Sequence, residues 1–169
     1  MSLDPLDTDH TSPLANPLDA METVLSTYDF DYVRVNADEM AMSVAGQCGS
    51  YRLFLNWQDE FGALQIICQF PTERSLPTET VLARLFMAAN AQLWLGHFEC
   101  GDDRIVQFRY TTLLHAALPS GGIAHMNDLF KLAVAECDRF FPALRLLTDQ
   151  PEAPDALLTF ALQDIVGEG

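Results

Sequence analysis

Apolar and polar residues alternate through much of the first half of the chain, which is the period of a β-strand with one buried face. The alternation predicts strands beginning near Tyr32 and Met40, followed by two clearer strands over residues 51–57 and 64–70. The intervening turns are only three to five residues long, too short for the crossover that parallel strands need. The sequence therefore predicts an antiparallel meander of four strands.

The spacing of apolar residues changes to that of an α-helix on either side of this meander. Asn16 and Pro17 are typical of a helix start, and a short amphipathic helix is predicted from there to about Tyr28. A central helix is predicted to begin after a cap near Thr78 and to continue to about Leu93. This helix has almost no polar face, so we expect it to pack against the sheet or against a partner.

Two more strands and a helix are predicted after the central helix. The strands are expected at His97–Cys100 and near Arg104–Leu114, and the helix from about His125 to Phe140, limited by Pro142. The complete order is α-β-β-β-β-α-β-β-α. Strands in runs, separated by helices, are typical of an α+β fold in which an antiparallel β-sheet is flanked by helices.

The two ends of the chain differ from this central part in composition. Residues 1–15 have two prolines, three aspartates and no periodicity, so they are predicted to be a disordered tail. Residues 16–148 are predicted to form the α+β domain, and 149–169 a proline-containing linker and a C-terminal helix. We expect this helix to dock on its own domain or within a dimer, through an apolar stripe formed by Leu158, Leu162 and Ile165.

The charge of the chain excludes several classes of partner. There are 24 acidic residues against 9 basic ones, a net charge of −15. Binding to the backbone of nucleic acids requires clustered lysine and arginine, and anionic membranes attract the same residues. We therefore expect no nucleic acid and no membrane as partners. A hydrophobic fraction of 49% predicts apolar surface left over for a protein or peptide partner.

Four cysteines, Cys48, Cys68, Cys100 and Cys137, are spread along the chain without a Cys-x-x-Cys pair. The chain has no N-terminal signal region and no apolar run long enough to span a bilayer. Free and mostly buried thiols in a reducing compartment fit this pattern. The predicted localisation is cytoplasmic.

The sequence predicts no catalytic residue, no metal site and no cofactor. His97 and Cys100 are three residues apart on a strand and so face opposite sides, which favours a surface histidine and a core cysteine. Ser120 lies in no nucleophile motif and is explained as a turn residue. The carboxylate pairs Asp59-Glu60 and Asp102-Asp103 both fall in turns, where aspartate forms local hydrogen bonds.

A few residues allow two interpretations. Asn90, polar within the apolar central helix, is expected to hydrogen-bond a neighbouring strand or its own copy across a two-fold axis, with ligand orientation as the alternative. Trp57, Phe61 and Trp94 lie at the ends of elements. They are expected in the core or at its rim, and alternatively they line a surface that binds a peptide.

Six short runs of the chain are similar to the motifs of a known family: residues 51–55, 62–65, 90–98, 108–110, 136–143 and 165–168. They resemble the YbjN-like family, whose name describes a bacterial sensory transduction regulator. The similarity covers roughly residues 17–168, and none of its motifs contains a catalytic residue. The resemblance implies a fold like that of type III secretion chaperones, usually a homodimer, with a curved antiparallel sheet and flanking helices.

Three functional hypotheses follow. The favoured one is a non-enzymatic homodimer, chaperone-like or regulatory, that binds a protein or peptide through surface including Trp57, Phe61, Trp94 and the C-terminal stripe. The alternative is a small-ligand sensor or enzyme with a pocket near Asn90, His97 and Arg109. The third is a structural subunit of a larger assembly. Arg52 and Arg109, on the polar faces of two strands, are explained more simply by cross-strand pairing than by an anion site.

Overall fold

The computed structural model describes residues 16–28, 30–71, 76–101, 104–114 and 122–149. These residues form an α+β fold in which the antiparallel strands of one sheet are flanked by helices. Both the fold class and the predicted order of elements are confirmed. In chain order the elements are α1 (Pro17–Tyr28), β1 (Tyr32–Asn36), β2 (Glu39–Ala45), β3 (Ser50–Gln58), a 3-10 turn (Asp59–Phe61), β4 (Ala63–Gln69), α2 (Glu79–Asn90), β5 (His97–Cys100), β6 (Val106–Leu113) and α3 (Ile123–Asp149).

The strands of the sheet lie in the order β1-β2-β3-β4-β6-β5, and every neighbouring pair is antiparallel. The first four strands form the predicted meander. The chain then leaves the sheet, forms α2, and returns as a hairpin whose second strand, β6, pairs with β4. As a result β1 and β5 lie at the two edges.

The alternation of residues along the strands separates the sheet into two unlike faces. Leu53, Leu55 and Ile66 are completely buried on the covered face, against which α1 and α3 pack. Burying a side chain of this size contributes about 1.5–3 kcal/mol. The opposite side, here called the open face, carries Arg52 and Phe54 from the same strand.

Helix α1 begins as the sequence predicts. The Asn16 side-chain oxygen accepts a 2.9 Å hydrogen bond from the backbone N–H of Leu18, which is the usual capping contact. At α2 the Thr78 side chain forms no such bond. Its backbone carbonyl accepts the first helical bond instead, from the N–H of Leu82 at 3.0 Å.

Helix α3 is longer than predicted, because it continues through Pro142 to Asp149. Proline in a helix interior removes one hydrogen bond and clashes with the preceding turn, at a cost of about 3 kcal/mol. Here Phe140, Leu144 and Leu147 are all buried on either side of the proline. Breaking the helix at Pro142 would take those side chains out of the core, and their burial outweighs the cost.

The predicted tail and C-terminal helix, in residues 1–15 and 150–169, lie outside the described residues, so the proposed domain boundaries stay a prediction. Among the described helices, none is long and apolar enough to cross a membrane. The thiols divide evenly: Cys68 and Cys137 are buried, whereas Cys48 and Cys100 are exposed. The predictions of mostly buried thiols and of a core position for Cys100 were therefore wrong, since Cys100 lies on edge strand β5.

Candidate interaction surface

The end of α2 is fastened to edge strand β5 by one side chain. The Asn90 amide nitrogen donates a 3.0 Å hydrogen bond to the backbone carbonyl of Phe98, and the Phe98 N–H donates a 2.7 Å bond to the Asn90 side-chain oxygen. Of the alternatives left open by the sequence, bonding to a neighbouring strand is confirmed. The two bonds satisfy backbone groups that an edge strand otherwise presents to solvent.

The chain between these residues turns tightly at Gly96. This residue has φ of +72°, a conformation that favours glycine. A Cβ atom here would lie 2.5 Å from the Phe108 ring and 2.8 Å from the Arg109 carbonyl oxygen. Gly96 therefore allows β5 to begin directly against β6, and it fixes the direction in which the preceding residues project.

A patch of apolar side chains projects from this junction into solvent. Trp94 is 97% exposed and Met87 is 75% exposed, and Leu95 is also exposed. Hydrogen bonds from Ala91 N–H to the Met87 carbonyl, and from Leu93 N–H to the Asn90 carbonyl, continue the helical winding past α2. Ala91 is thus on the same side as Met87, one helical turn later, and Trp94 follows in the bend where the winding ends. We call Met87, Trp94 and Leu95 the junction surface.

Helix α2 explains why this surface exists. Its buried residues are Leu82, Leu85 and Ala89, which pack against the rest of the domain. The opposite side carries Met87 with the exposed alanines Ala83 and Ala91, and the first half of the same side also carries the exposed polar residues Thr80 and Arg84. Single exposed apolar residues are common, but three of them close together along the chain at one junction are typical of a contact site.

Phe61 forms a second exposed apolar position, at the turn between β3 and β4. Its side chain is 63% exposed, and Leu113, opposite Ala63 in the neighbouring strand, is exposed as well. Gly62 follows in the left-handed conformation, and its carbonyl accepts a 2.7 Å bond from the N–H of Leu114. We call Phe61 and Leu113 the turn surface.

The structure places Trp57 differently from the prediction and does not describe the C-terminal part of the predicted partner-binding surface. Trp57 is only 3% exposed, because it alternates inward with Leu53 and Leu55 along β3, so it belongs to the core. Leu158, Leu162 and Ile165 lie outside the described residues. Of the six residues predicted for the surface, the structure places Phe61 and Trp94 in solvent.

The polar residues near β5 pair with one another on the open face. The Glu99 carboxylate forms a 2.8 Å ion pair with the Arg109 guanidinium and accepts a 2.7 Å hydrogen bond from the Gln107 side-chain amide. The Nε2 atom of His97 lies 3.3 Å from the same carboxylate. Partial burial works against ionisation of Glu99, but the Gln107 bond and the Arg109 charge outweigh it and hold the pKa of this carboxyl below its ordinary value. The predicted cross-strand pairing of Arg109 is confirmed.

These pairings decide what the site can do chemically. A carboxylate with a lowered pKa is a weak base, and Arg109 and His97 are both directed to it. Asn90 is occupied by the Phe98 backbone. The three residues proposed for a ligand pocket therefore pair with Glu99 or with the backbone. The Nε atom of Arg109 is buried and has no hydrogen-bond partner among the described residues. A depression of about 530 Å³ lies elsewhere, around Asp38 and Asn56, with a mostly polar lining unlike that of typical small-molecule sites.

Asp138 is a structural residue that the sequence did not single out. Its carboxylate accepts hydrogen bonds from the backbone N–H groups of Gln47 and Cys48 and from the Tyr51 hydroxyl. It therefore holds α3 to the turn between β2 and β3. Asp138 directly follows buried Cys137 and lies three residues before Phe141, at the margin of the buried stripe of α3. This position was the feature of the sequence that could have identified it.

Comparison with known proteins identifies the family of the chain. No curated protein matches the chain. A family model does match, over residues 17–146, which is most of the chain. That model is the YbjN family, described as "putative bacterial sensory transduction regulator". The match includes every described helix and strand except the last three residues of α3, together with Asn90, Trp94 and Asp138. The chain belongs to the YbjN family.

Proposed function

We propose that the protein is a non-enzymatic regulatory binding module, which forms a homodimer through the junction surface and holds a segment of a partner protein. The observation that carries the proposal is the exposure of Trp94, which is 97% exposed at the junction that Asn90 links to β5. A buried tryptophan removes about 150–250 Å² from water, so it favours association strongly.

The shape of α2 supports contact between two copies. Ala83 and Ala91 flank Met87 on the exposed side, and small residues let two helix backbones approach closely. A two-fold contact places the same patch on both sides, so Met87 and Trp94 each occur twice in the interface. Stable interfaces bury about 1,200–2,000 Å², so the contact would also include further exposed residues along α2.

The turn surface supports the proposed binding of a partner segment. Phe61 and Leu113 are exposed apolar anchors, and aromatic anchors dominate the energetics of many protein contacts. The net charge of −15 favours a basic or amphipathic partner segment and speeds its encounter. The small-ligand alternative has less support, because Asn90, His97 and Arg109 are directed to protein groups.

The proposal is tested by capture from lysate with three tagged forms: wild type, Trp94→Ser and Phe61→Ser. Tagged wild type is expected to retain a defined partner protein together with untagged copies of the same chain. Trp94→Ser is expected to lose the untagged copy, and Phe61→Ser to lose the partner while keeping the copy. If both variants retain the same proteins as wild type, neither surface mediates binding and the proposal fails.

A further inference from the structure

A polar depression lies at one end of the sheet, where the turn between β1 and β2 meets the end of β3. Its volume of about 530 Å³ is in the range of sites that bind small molecules. The lining includes three carboxylates, from Asp38, Glu39 and Asp59, together with four side-chain amides and no basic residue. We call this site the acidic depression. Its lining is complementary to a ligand that donates hydrogen bonds and carries positive charge.

Hydrogen bonds fix the walls of the acidic depression. The backbone N–H of Trp57 donates a 2.8 Å bond to the carbonyl of Asp38, which joins the β1–β2 turn to β3. The side-chain amide of Asn16, at the start of α1, donates a 2.8 Å bond to the carbonyl of Ala37 in the same turn. The depression is therefore preformed, so a ligand that enters it has little chain to order.

Hydrogen-bond acceptors form a line across the acidic depression. Glu39 lies opposite Asn56, and Asn56 opposite Gln65, so two strand spacings make this line about 10 Å long. Glu39 accepts one 2.8 Å bond from the Asn36 amide, and a carboxylate can accept several. The Gln65 amide N–H donates to the Thr111 hydroxyl at 3.3 Å, which leaves the Gln65 side-chain oxygen as an acceptor. The half-buried side chain of Asn56, at the centre, has no hydrogen-bond partner among the described residues.

The negative charge of the acidic depression is not balanced by neighbouring side chains. None of its three carboxylates forms an ion pair with a basic residue in the described part of the chain. Arg34, on β1, is paired with Asp19 and Glu22 instead. Arg52 lies four residues from Asn56 along β3, or about 13 Å. The ligand that complements this site is therefore a cation.

The spacing of the carboxylates suits an organic cation better than a metal ion. Among the described residues, no three metal-binding side chains lie close enough together to hold one ion. Ammonium and guanidinium groups carry three and five N–H donors, which can reach acceptors that are further apart. We infer that the acidic depression binds an organic cation with more than one amino or guanidino group. Free polyamines and adjacent lysine or arginine side chains of a peptide share this chemistry.

This inference goes beyond the proposed function, since the depression lies outside both the junction surface and the turn surface and is complete in one chain. The test titrates the full chain with spermidine, and separately with the dipeptide arginyl-arginine amide, by isothermal titration calorimetry in physiological salt. Saturable binding with one site per chain is expected. Tighter binding of spermidine identifies free polyamines as the ligand, and tighter binding of the dipeptide identifies side chains of a peptide.

Charge-changing variants then locate the bound cation. Glu39→Gln combined with Asp59→Asn is expected to weaken binding about fivefold, because each partly exposed ion pair contributes modestly. Asn56→Lys is expected to weaken it about tenfold or more, since its ammonium group would repel the ligand from the line of acceptors. The matched control, Asp31→Asn combined with Asp128→Asn, removes the same charge from exposed positions outside the depression.

The control pair is expected to change the affinity less than about twofold, because salt screens charges that are far from the ligand. Circular dichroism checks that every variant keeps the fold of the wild type. Binding of neither probe by the wild type would overturn the inference. Equal weakening in the control pair and in the Glu39→Gln and Asp59→Asn pair, or unchanged affinity in Asn56→Lys, would also overturn it, since the cation would then bind elsewhere on the acidic surface.

Discussion

The hydroxyl group of Tyr51, on strand β3, donates a 2.6 Å hydrogen bond to the carboxylate of Asp138, on helix α3. The same carboxylate accepts bonds of 2.8 and 2.9 Å from the N–H groups of Gln47 and Cys48. One side chain thereby joins α3 to the covered face and to the β2–β3 turn. Burial, reinforced by the bond to Asp138, raises the pKa of Tyr51 far above its ordinary value.

We predict that Asp138→Asn lowers the free energy of unfolding by about 2–3 kcal/mol, since hydrogen bonds to a charged acceptor contribute more than neutral ones. The amide has one acceptor oxygen and cannot receive all three bonds. Urea unfolding followed by fluorescence measures the change. Asp128→Asn is the matched control on the same helix, because Asp128 is exposed, and it should be neutral. Equal loss in both variants would contradict the role of Asp138.

The same carboxylate predicts how stability depends on pH. Partial burial opposes ionisation of Asp138, but the bonds from Tyr51, Cys48 and Gln47 outweigh it and lower its pKa. The folded state thus releases this proton more readily than the unfolded state, whose aspartate pKa is about 3.9. The stabilisation is present above that value and is lost as the pH falls through it towards the lower folded pKa.

The measurement is a series of urea unfolding curves between about pH 6 and pH 3. Wild type is expected to lose stability steadily in the acid part of this range, and Asp138→Asn to lose clearly less. Asp128→Asn should follow the wild-type slope. Parallel curves for wild type and Asp138→Asn would show that another carboxyl determines the acid sensitivity.

Asn90→Ala is predicted to loosen the junction. It leaves the backbone N–H and carbonyl of Phe98 without their side-chain partner, at a cost of about 1–3 kcal/mol. Hydrogen exchange followed by mass spectrometry should show faster exchange in the peptide containing the Phe98 amide. Gln92→Ala, in the exposed part of the same segment, serves as control. Unchanged exchange at Phe98 would mean that the two bonds do not hold the strand.

Gly96→Ala is predicted to destabilise the protein by about 2–4 kcal/mol, combining left-handed strain with overpacking against the Phe108 ring. Gly101→Ala is a suitable comparison, because a Cβ there lies 3.6 Å from its nearest neighbour, the Ile105 carbonyl oxygen. We expect it to change stability by less than about 1 kcal/mol. Thermal unfolding measures the stability of both variants. Equal lowering of their two midpoints would contradict the role assigned to Gly96.

The sequence predicted the strands, and the pairing of the first four, because the two-residue period of residues 51–57 and 64–70 and the short turns allow few arrangements. It did not predict that β6 pairs with β4. It also identified Asn90 as a residue needing a partner. It could not predict the full length of α3. Proline usually ends a helix, but here the burial of Leu144 and Leu147 outweighs the effect of Pro142, and that burial depends on tertiary packing. Trp57 was ambiguous for a similar reason: its side of the strand was clear, but the depth of burial was not.

The central claim is that the junction surface joins two copies of the chain, and analytical ultracentrifugation over a range of concentrations tests it most directly. Wild type and Phe61→Ser are expected to sediment at twice the chain mass of 18.8 kDa. Trp94→Ser should shift to a single chain, or weaken the dimer at least about tenfold, while keeping its fold by circular dichroism. A wild type that stays monomeric throughout, or a Trp94→Ser dimer as strong as wild type, would contradict the claim.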